Sequence, residues 1–184
     1  DARRTIDESA QAAIALKDDR LSPEEALALV FAPEDEQRYS VVRKTRRLSF
    51  RDAIREALDE EMSRDGRVHL IGEDIGLYGG CFKVTGDLFS RHGAQLHETP
   101  VSEEGFTSLA VGSALLGLRP VVELMYGDFV TLASDAIINH ASKIHYMSGG
   151  QLSCPMVLRA PMGSGTGHGS QHTQSLEAMF ANVP

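Results

Sequence analysis

The sequence predicts an α/β fold in which a parallel sheet carries helices on both faces. From Leu48 onward, short apolar segments alternate with segments of helical periodicity, which favours parallel strands joined by right-handed crossovers. The predicted strands lie at 68–71, 95–99, 121–125 and 156–159. Polar and aromatic side chains follow all four segments, and the carboxyl ends of parallel strands share one edge of a sheet. We therefore expect a site at that edge.

Residues 1–46 are predicted to lie outside the core of the domain. One amphipathic helix is expected around 6–14, and Ser22 with the proline after it predicts the start of a second helix. The scattered cations between 38 and 47 are typical of a solvated linker, whereas a nucleic-acid patch would cluster them. We therefore assign 1–46 to a helical tail with a basic linker and 47–184 to the ordered domain.

The helices of this domain are predicted from their apolar spacing. The first presents an apolar residue at every fourth position, at Phe50, Ile54, Leu58 and Met62. A short helix is expected at 87–92, after a loop rich in glycine and aromatic residues. One long helix is predicted over 128–147, with an inner side made of Ile137, Ile138, Ile144 and Met147. The glycines at 163–169 indicate a loop after the fourth strand.

The segment from Pro100 to Leu118 is the element around which the other predictions are arranged. Pro100 ends the second strand, and Ser102 is expected to cap a helix. Glu103 and Glu104 would then lie in the first helical turn, where the helix dipole favours negative charge. Nearly every later residue of the helix is apolar or small, so the helix is predicted to be buried on all sides.

The composition excludes several classes of function. The net charge of −8 argues against a nucleic-acid-binding protein, and no apolar run reaches the roughly 20 residues that span a bilayer. Two isolated cysteines favour neither a disulfide framework nor a zinc site, so a reducing cytoplasmic compartment is expected. Because the chain lacks an initiator methionine and stops within the domain pattern, we expect it to be part of a longer polypeptide.

Carboxylate chemistry fits the pattern better than the other candidate chemistries. The glycines at 163–169 lack the spacing of the phosphate-binding motifs, and no nucleophile elbow is present. His168 and His172 have a metal-ligand spacing, but a glycine lies between them and no third ligand is near, so no metal site is predicted. Glu73 and Glu103 would lie in a water-poor crevice, where a raised carboxyl pKa permits proton transfer near neutrality.

Six segments of the sequence point to a family. In order they are LSFRDAIREALDEEM, VHLIGEDIG, ETPVSEEGF, AVGSALLGLRPVVELMYGDF, INHASKIHYMSGGQ and QHTQSLEA. With them the chain from Leu48 onward resembles the β subunit of the thiamine-diphosphate-dependent decarboxylase component of 2-oxo acid dehydrogenase complexes. Residues 1–36 resemble the C-terminal end of the α subunit, so the chain resembles the junction of a fused α–β polypeptide.

The resemblance implies a transketolase-like pyrimidine-binding fold and gives four residues a role. Glu103 matches the family glutamate that hydrogen-bonds the pyrimidine ring nitrogen of thiamine diphosphate and so promotes removal of the thiazolium proton. Phe129 matches an aromatic that packs on the pyrimidine, with Tyr126 as an alternative for that contact. Glu73 matches an acid in the channel between paired sites, and His172 a histidine that faces the substrate and the lipoyl group.

The resemblance also implies a reaction and partners. The reaction is oxidative decarboxylation of a 2-oxo acid with acyl transfer to a lipoyl group, and Gln171 and MYGDF favour pyruvate or acetoin over branched-chain substrates. An α-like subunit or domain would hold the diphosphate and its magnesium ion, so this chain alone would be inactive. A second copy, giving a homodimer, and the lipoyl-bearing acyltransferase component would be the other partners.

Two other functions stay open. The chain could be a non-catalytic assembly module, although such a scaffold would have no need of a buried acid at Glu103. It could also be the pyrimidine domain of a transketolase or of a deoxyxylulose-phosphate synthase. Those enzymes share the glutamate, but they differ from VSEEGF around it and lack the QHTQ segment.

Overall fold

The computed structural model describes residues 2–16, 21–33 and 46–184. Within these ranges the strands are β1 (Val68–Gly72), β2 (Leu96–Glu98), β3 (Arg119–Glu123) and β4 (Val157–Arg159). They form one sheet in the order β2-β1-β3-β4, and every neighbouring pair is parallel. The predicted parallel sheet is confirmed. Because the chain changes direction across the sheet between β1 and β3, a crevice is expected beyond the carboxyl ends of these two strands.

Helices cover both faces of the sheet. The helices of the described residues are α1 (Ala2–Ala15), α2 (Pro23–Ala28), α3 (Phe50–Arg64), α4 (Leu88–His92), α5 (Glu103–Leu115) and α6 (Ile144–Met147), of which α3 and α4 pack on one face and α5 on the other. Successive side chains of β1 point to opposite faces, so Leu70 packs with α3 and α4, whereas Ile71 packs with α5. The predicted helices on both faces are therefore confirmed, with one apolar cluster on each side of the sheet.

Both helices predicted in the N-terminal tail form. In α2, Ser22 accepts from the backbone N–H of Glu25, whose carboxylate in turn accepts from the N–H of Ser22. Helix α1 buries none of its residues, so its apolar stripe has no partner in the described part of the chain. Most of the predicted basic linker lies outside the described residues. Among those that are described, no helix is long and apolar enough to cross a membrane.

The prediction of one long helix over 128–147 is wrong. The chain there forms a 3₁₀ turn (Gly127–Thr131), a π-helical segment (Ala136–Ala141) and the short α6. The hydroxyl groups of Ser134 and Ser142 each donate to the backbone carbonyl four residues earlier, a bond that commonly bends a helix. Ile137, Ile138 and Ile144 are half-buried as expected, but Met147 is exposed.

Two expectations about α5 are also wrong. The Ser102 side chain makes no capping bond; instead, its backbone N–H donates to Glu73. The helix is not buried on all sides, because Leu109 is 60% exposed and Leu116 is 88% exposed. These two residues lie on a helix face that nothing in the described part of the chain covers, together with Gly105 and Gly112. Phe50, expected on the inner side of α3, is likewise exposed.

The close approach of β1 and β3 gives a test of the packing. A Cβ placed on Gly72 would lie 2.5 Å from the carbonyl oxygen of Glu123 on the neighbouring strand. We expect Gly72→Ala to lower the free energy of unfolding by about 1–3 kcal/mol, because the strands must move apart. Gly66→Ala is the matched control, since a Cβ there meets no atom within 4 Å. Urea unfolding of both variants measures the difference, and equal stabilities would contradict the packing.

Candidate functional site

Two acids from separate elements meet at the carboxyl edge of the sheet. Glu73 directly follows β1, and Glu103 is the first residue of α5. They are 5% and 7% exposed, respectively. The Oε1 atom of Glu73 accepts from the backbone N–H of Ser102 at 3.3 Å, which ties the end of β1 to the start of α5. The structure therefore brings together the two carboxylates that the sequence had placed on one edge.

The protonation of Glu73 depends on its burial and on its neighbours. Burial raises the pKa of Glu73, the negative charge of Glu103 raises it further, and the Ser102 N–H opposes both effects. Within the described residues, the Glu103 carboxylate has no hydrogen bond and no ion pair. Its oxygens are not among the fully buried atoms without a partner, so they remain accessible at this edge of the sheet. Glu103 is thus the acid that is open to a ligand from outside this chain.

The other two predicted residues meet in a group of rings. The ring centroids of Phe129 and His172 are 5.3 Å apart, and the rings lie edge to face. Tyr126 contacts both, at 5.7 Å from Phe129 and 4.7 Å from His172. No hydrogen bond or ring contact of the described residues joins these rings directly to the two acids. Their sequence neighbours Phe106, on α5, and Val130, next to Phe129, belong to the same apolar cluster on this face of the sheet.

Sequence analysis missed a buried ion pair at the same edge. The Glu123 carboxylate, at the end of β3, lies 3.0 Å from Nη2 of Arg159 at the end of β4. Burial raises the pKa of Glu123, while the neighbouring guanidinium acts in the opposite direction. The register that pairs these two residues across parallel strands is the only signal for the contact, and it becomes visible only once the sheet order is known.

A second missed residue is Asp128, which holds the segment that carries His172. Its Oδ1 atom accepts from Nε2 of Gln174 at 2.7 Å and from the Gln174 backbone N–H at 3.3 Å. Its other oxygen, Oδ2, is buried without a partner among the described residues. The sequence contained one clue to this contact. Asp128 directly precedes Phe129, and Gln174 lies two residues after His172.

The described residues contain no cluster of side chains that could bind a metal ion. No three of their His, Cys, Asp or Glu side chains lie close enough together to hold a metal ion. His168 and His172 both contact the Tyr126 ring. The site therefore offers a ligand the buried Glu103 carboxylate and a surface formed by aromatic rings.

The raised pKa of Glu73 predicts a dependence of stability on pH. Between the ordinary glutamate value of 4.5 and the raised value, the folded state binds more protons than the unfolded state. The stability that Glu73 contributes is therefore fully present below pH 4.5 and is lost as pH rises through the raised value. We expect Glu73→Gln to become more stable relative to the parent as pH rises from about 4 to 7.

Urea unfolding at several pH values measures this difference between the variant and the parent. Glu104→Gln removes an exposed carboxylate from the first turn of α5, next to Glu103, and controls for the loss of a negative charge at this edge of the sheet. If the difference in free energy of unfolding between Glu73→Gln and the parent stayed constant with pH, burial would not raise the pKa of Glu73.

Comparison with known proteins places this geometry in a family. Residues 46–184 match the family model described as "Transketolase, pyrimidine binding domain". The chain is 46% identical over 138 residues to pyruvate dehydrogenase E1 component subunit beta-1, mitochondrial, of Arabidopsis thaliana, a match that covers 74% of the chain and 38% of that protein.

Two further relatives have related names. Over 138 residues the chain is 45% identical to pyruvate dehydrogenase E1 component subunit beta of Rickettsia conorii, covering 74% of the chain and 42% of the relative. Over 158 residues it is 45% identical to pyruvate dehydrogenase E1 component subunit beta-2, mitochondrial, of Oryza sativa subsp. japonica. This match covers 85% of the chain and 42% of the relative. The chain thus spans about two fifths of the length of these relatives. The resemblance to this type of β subunit is confirmed, and the chain belongs to the family of the transketolase pyrimidine-binding domain.

Proposed function

We propose that this chain supplies the pyrimidine-binding half of a thiamine diphosphate site in the β subunit of a 2-oxo acid dehydrogenase. The observation that carries the proposal is the Glu103 carboxylate, which is buried at the start of α5 and has no partner among the described residues. A weakly basic ring nitrogen is a fitting partner, because a carboxyl group can share a proton with it in a dry pocket.

Glu103 has the task of holding and returning a proton at the pyrimidine ring nitrogen. When bound, thiamine diphosphate supplies the carbon nucleophile that attacks a 2-oxo acid and accepts the electrons released on decarboxylation. Glu73, with its raised pKa, lies beside Glu103 and can hold a further proton at the base of the site. This arrangement supports the proposed role of Glu73 in a channel between paired sites.

The ring group has a separate task. Phe129 is half-buried and offers an apolar ring face against which a pyrimidine can pack. His172 contacts Phe129 and lies on the Gly-rich loop after β4, where it can face the substrate and the lipoyl group. We assign catalytic roles to Glu103 and His172, and cofactor binding to Glu103, Phe129 and Glu73.

The remaining assignments concern the assembly. We propose that an α-like subunit or domain holds the diphosphate and its magnesium ion, and that the lipoyl-bearing acyltransferase component receives the acyl group. Pyruvate or acetoin is the proposed substrate, and the names of the relatives favour pyruvate. The boundary between tail and domain near residue 46 and a cytoplasmic location stay predictions, and several relatives carry the word mitochondrial in their names.

Self-association is supported by the uncovered face of α5. Leu109 and Leu116 are exposed there beside Gly105 and Gly112, and small residues allow another backbone to approach closely. A second copy of the chain fits such a patch, because isologous dimers are the commonest way to cover it. We therefore propose a homodimer with α5 at the contact.

The role of Glu103 is tested by Glu103→Gln in the enzyme assembled from the full polypeptide and its α-like partner, called below the assembled enzyme. The amide still forms hydrogen bonds but cannot transfer a proton. We expect decarboxylation of the 2-oxo acid to fall by about a hundredfold or more. Glu104→Gln is the matched control because its side chain is exposed at the next position, and it should retain activity. Activity of Glu103→Gln within a few-fold of the parent would refute the assignment.

The homodimer is tested by sedimentation of this chain at several concentrations. We expect Leu116→Asp to shift the equilibrium toward the monomer, because a charge on the uncovered face of α5 would be desolvated in the contact. Leu77→Asp is the control, since Leu77 is equally exposed but lies in the loop after β1. A parent chain that is strictly monomeric at tens of micromolar would count against the dimer.

A further inference from the structure

Tyr126 lies at the centre of four rings that come from three separate segments of the chain. The four partners are Phe82, Phe129, His168 and His172, with centroid distances of 5.4, 5.7, 5.7 and 4.7 Å from the Tyr126 ring. The interplanar angles lie between 69° and 80°, which is the favourable edge-to-face arrangement. The ring of Tyr126 thus connects the loop after β1, the 3₁₀ turn after β3 and the loop after β4.

The hydroxyl group of Tyr126 makes a second kind of contact. Its oxygen lies 2.9 Å from Nδ1 of His168. Burial raises the pKa of the Tyr126 phenol, and the nearby Cys81 raises it further. The tautomer of His168 decides which of the two atoms, the Tyr126 oxygen or Nδ1, donates this hydrogen bond.

The loop that carries the two histidines has few other attachments. Gly163, Gly167 and Gly169 all have positive φ, which shows how much of its path depends on glycine. Its base is closed by the bond from the Gly163 N–H to the carbonyl of Gln174 at 3.1 Å, and Asp128 binds Gln174 as well. The start of the loop is tied to the segment after β3 by the bond from the Gly127 N–H to the carbonyl of Pro161 at 2.7 Å, and the Tyr126–His168 bond ties it again toward the tip.

We propose that Tyr126 is the positioning residue of His172. Its ring sets the imidazole of His172 against Phe129, and its hydroxyl, through His168, holds the loop on which His172 lies. The inference rests on the proposed function, in which His172 faces the substrate and the lipoyl group. It assigns a positioning role at that site to two residues, Tyr126 and His168, that had no such role in the sequence-based prediction.

Two variants separate the contributions of the ring and the hydroxyl. Tyr126→Phe keeps the ring contacts and removes the hydrogen bond to His168, whereas Tyr126→Leu removes both. In the assembled enzyme we expect acyl transfer to the lipoyl group to fall roughly threefold to tenfold in Tyr126→Phe, the factor expected from one lost hydrogen bond. Acyl transfer should fall further in Tyr126→Leu. Tyr146→Phe, which changes a tyrosine of α6 outside the ring group, should match the parent.

A spectroscopic measurement on this chain tests the contact without any reaction. Imidazole ¹⁵N spectra should show His168 as a single tautomer in the parent, because the Tyr126 hydroxyl engages its Nδ1 atom, and as a mixture of tautomers in Tyr126→Phe. The His172 ring resonances should be displaced in Tyr126→Phe and displaced further in Tyr126→Leu, in the same order as the expected losses of acyl transfer. Circular dichroism verifies that both variants are folded.

The outcomes distinguish this inference from the proposed function. If acyl transfer in Tyr126→Leu stays within twofold of the parent while His172→Ala loses it, Tyr126 does not position His172. Unchanged His168 and His172 spectra in both Tyr126 variants would also overturn the inference. If His172→Ala itself keeps full acyl transfer, the proposed role of His172 is wrong and the positioning role is lost with it.

Discussion

The site depends on the parallel pairing of β1 with β3 at a spacing that only glycine allows at position 72. Because the Glu123 carbonyl lies where a side chain at Gly72 would begin, the two strands end level with each other and close together. Glu73, which follows β1, and the Tyr126–Phe129 segment, which follows β3, therefore lie at the same carboxyl edge of the sheet. The start of α5 reaches the same edge because β2 pairs with β1 on its other side.

Burying several carboxylates at one edge is unfavourable, and the structure offsets that cost unequally. Glu123 has the Arg159 guanidinium, Asp128 has the amide of Gln174, and Glu73 has a backbone N–H. Glu103 has none of these among the described residues, although the N-terminus of α5 favours its negative charge. This inequality is the physical reason to regard Glu103 as the residue that acts on a ligand and the others as supports.

The fold was largely predictable from local patterns, because apolar strands and capped helices leave clear signatures. The pairs that complete the site were not, because Glu123–Arg159 and Asp128–Gln174 depend on strand order and loop path rather than on spacing. The errors at Ser102 and over 128–147 have a similar origin: a tertiary contact with Glu73 replaced a local cap, and serine side chains altered the helical hydrogen bonds. The central position of Tyr126 could not be inferred because three distant segments create it.

The central claim is that Glu103 meets the pyrimidine ring of thiamine diphosphate at the start of α5. The most direct measurement is a crystal structure of the assembled enzyme with thiamine diphosphate bound. The account predicts a Glu103 carboxylate oxygen at hydrogen-bond distance, about 2.7 Å, from a pyrimidine ring nitrogen, with the Phe129 ring against the pyrimidine face. A cofactor bound away from Glu103, or a Glu103 carboxylate engaged only by a neighbouring protein chain, would contradict it.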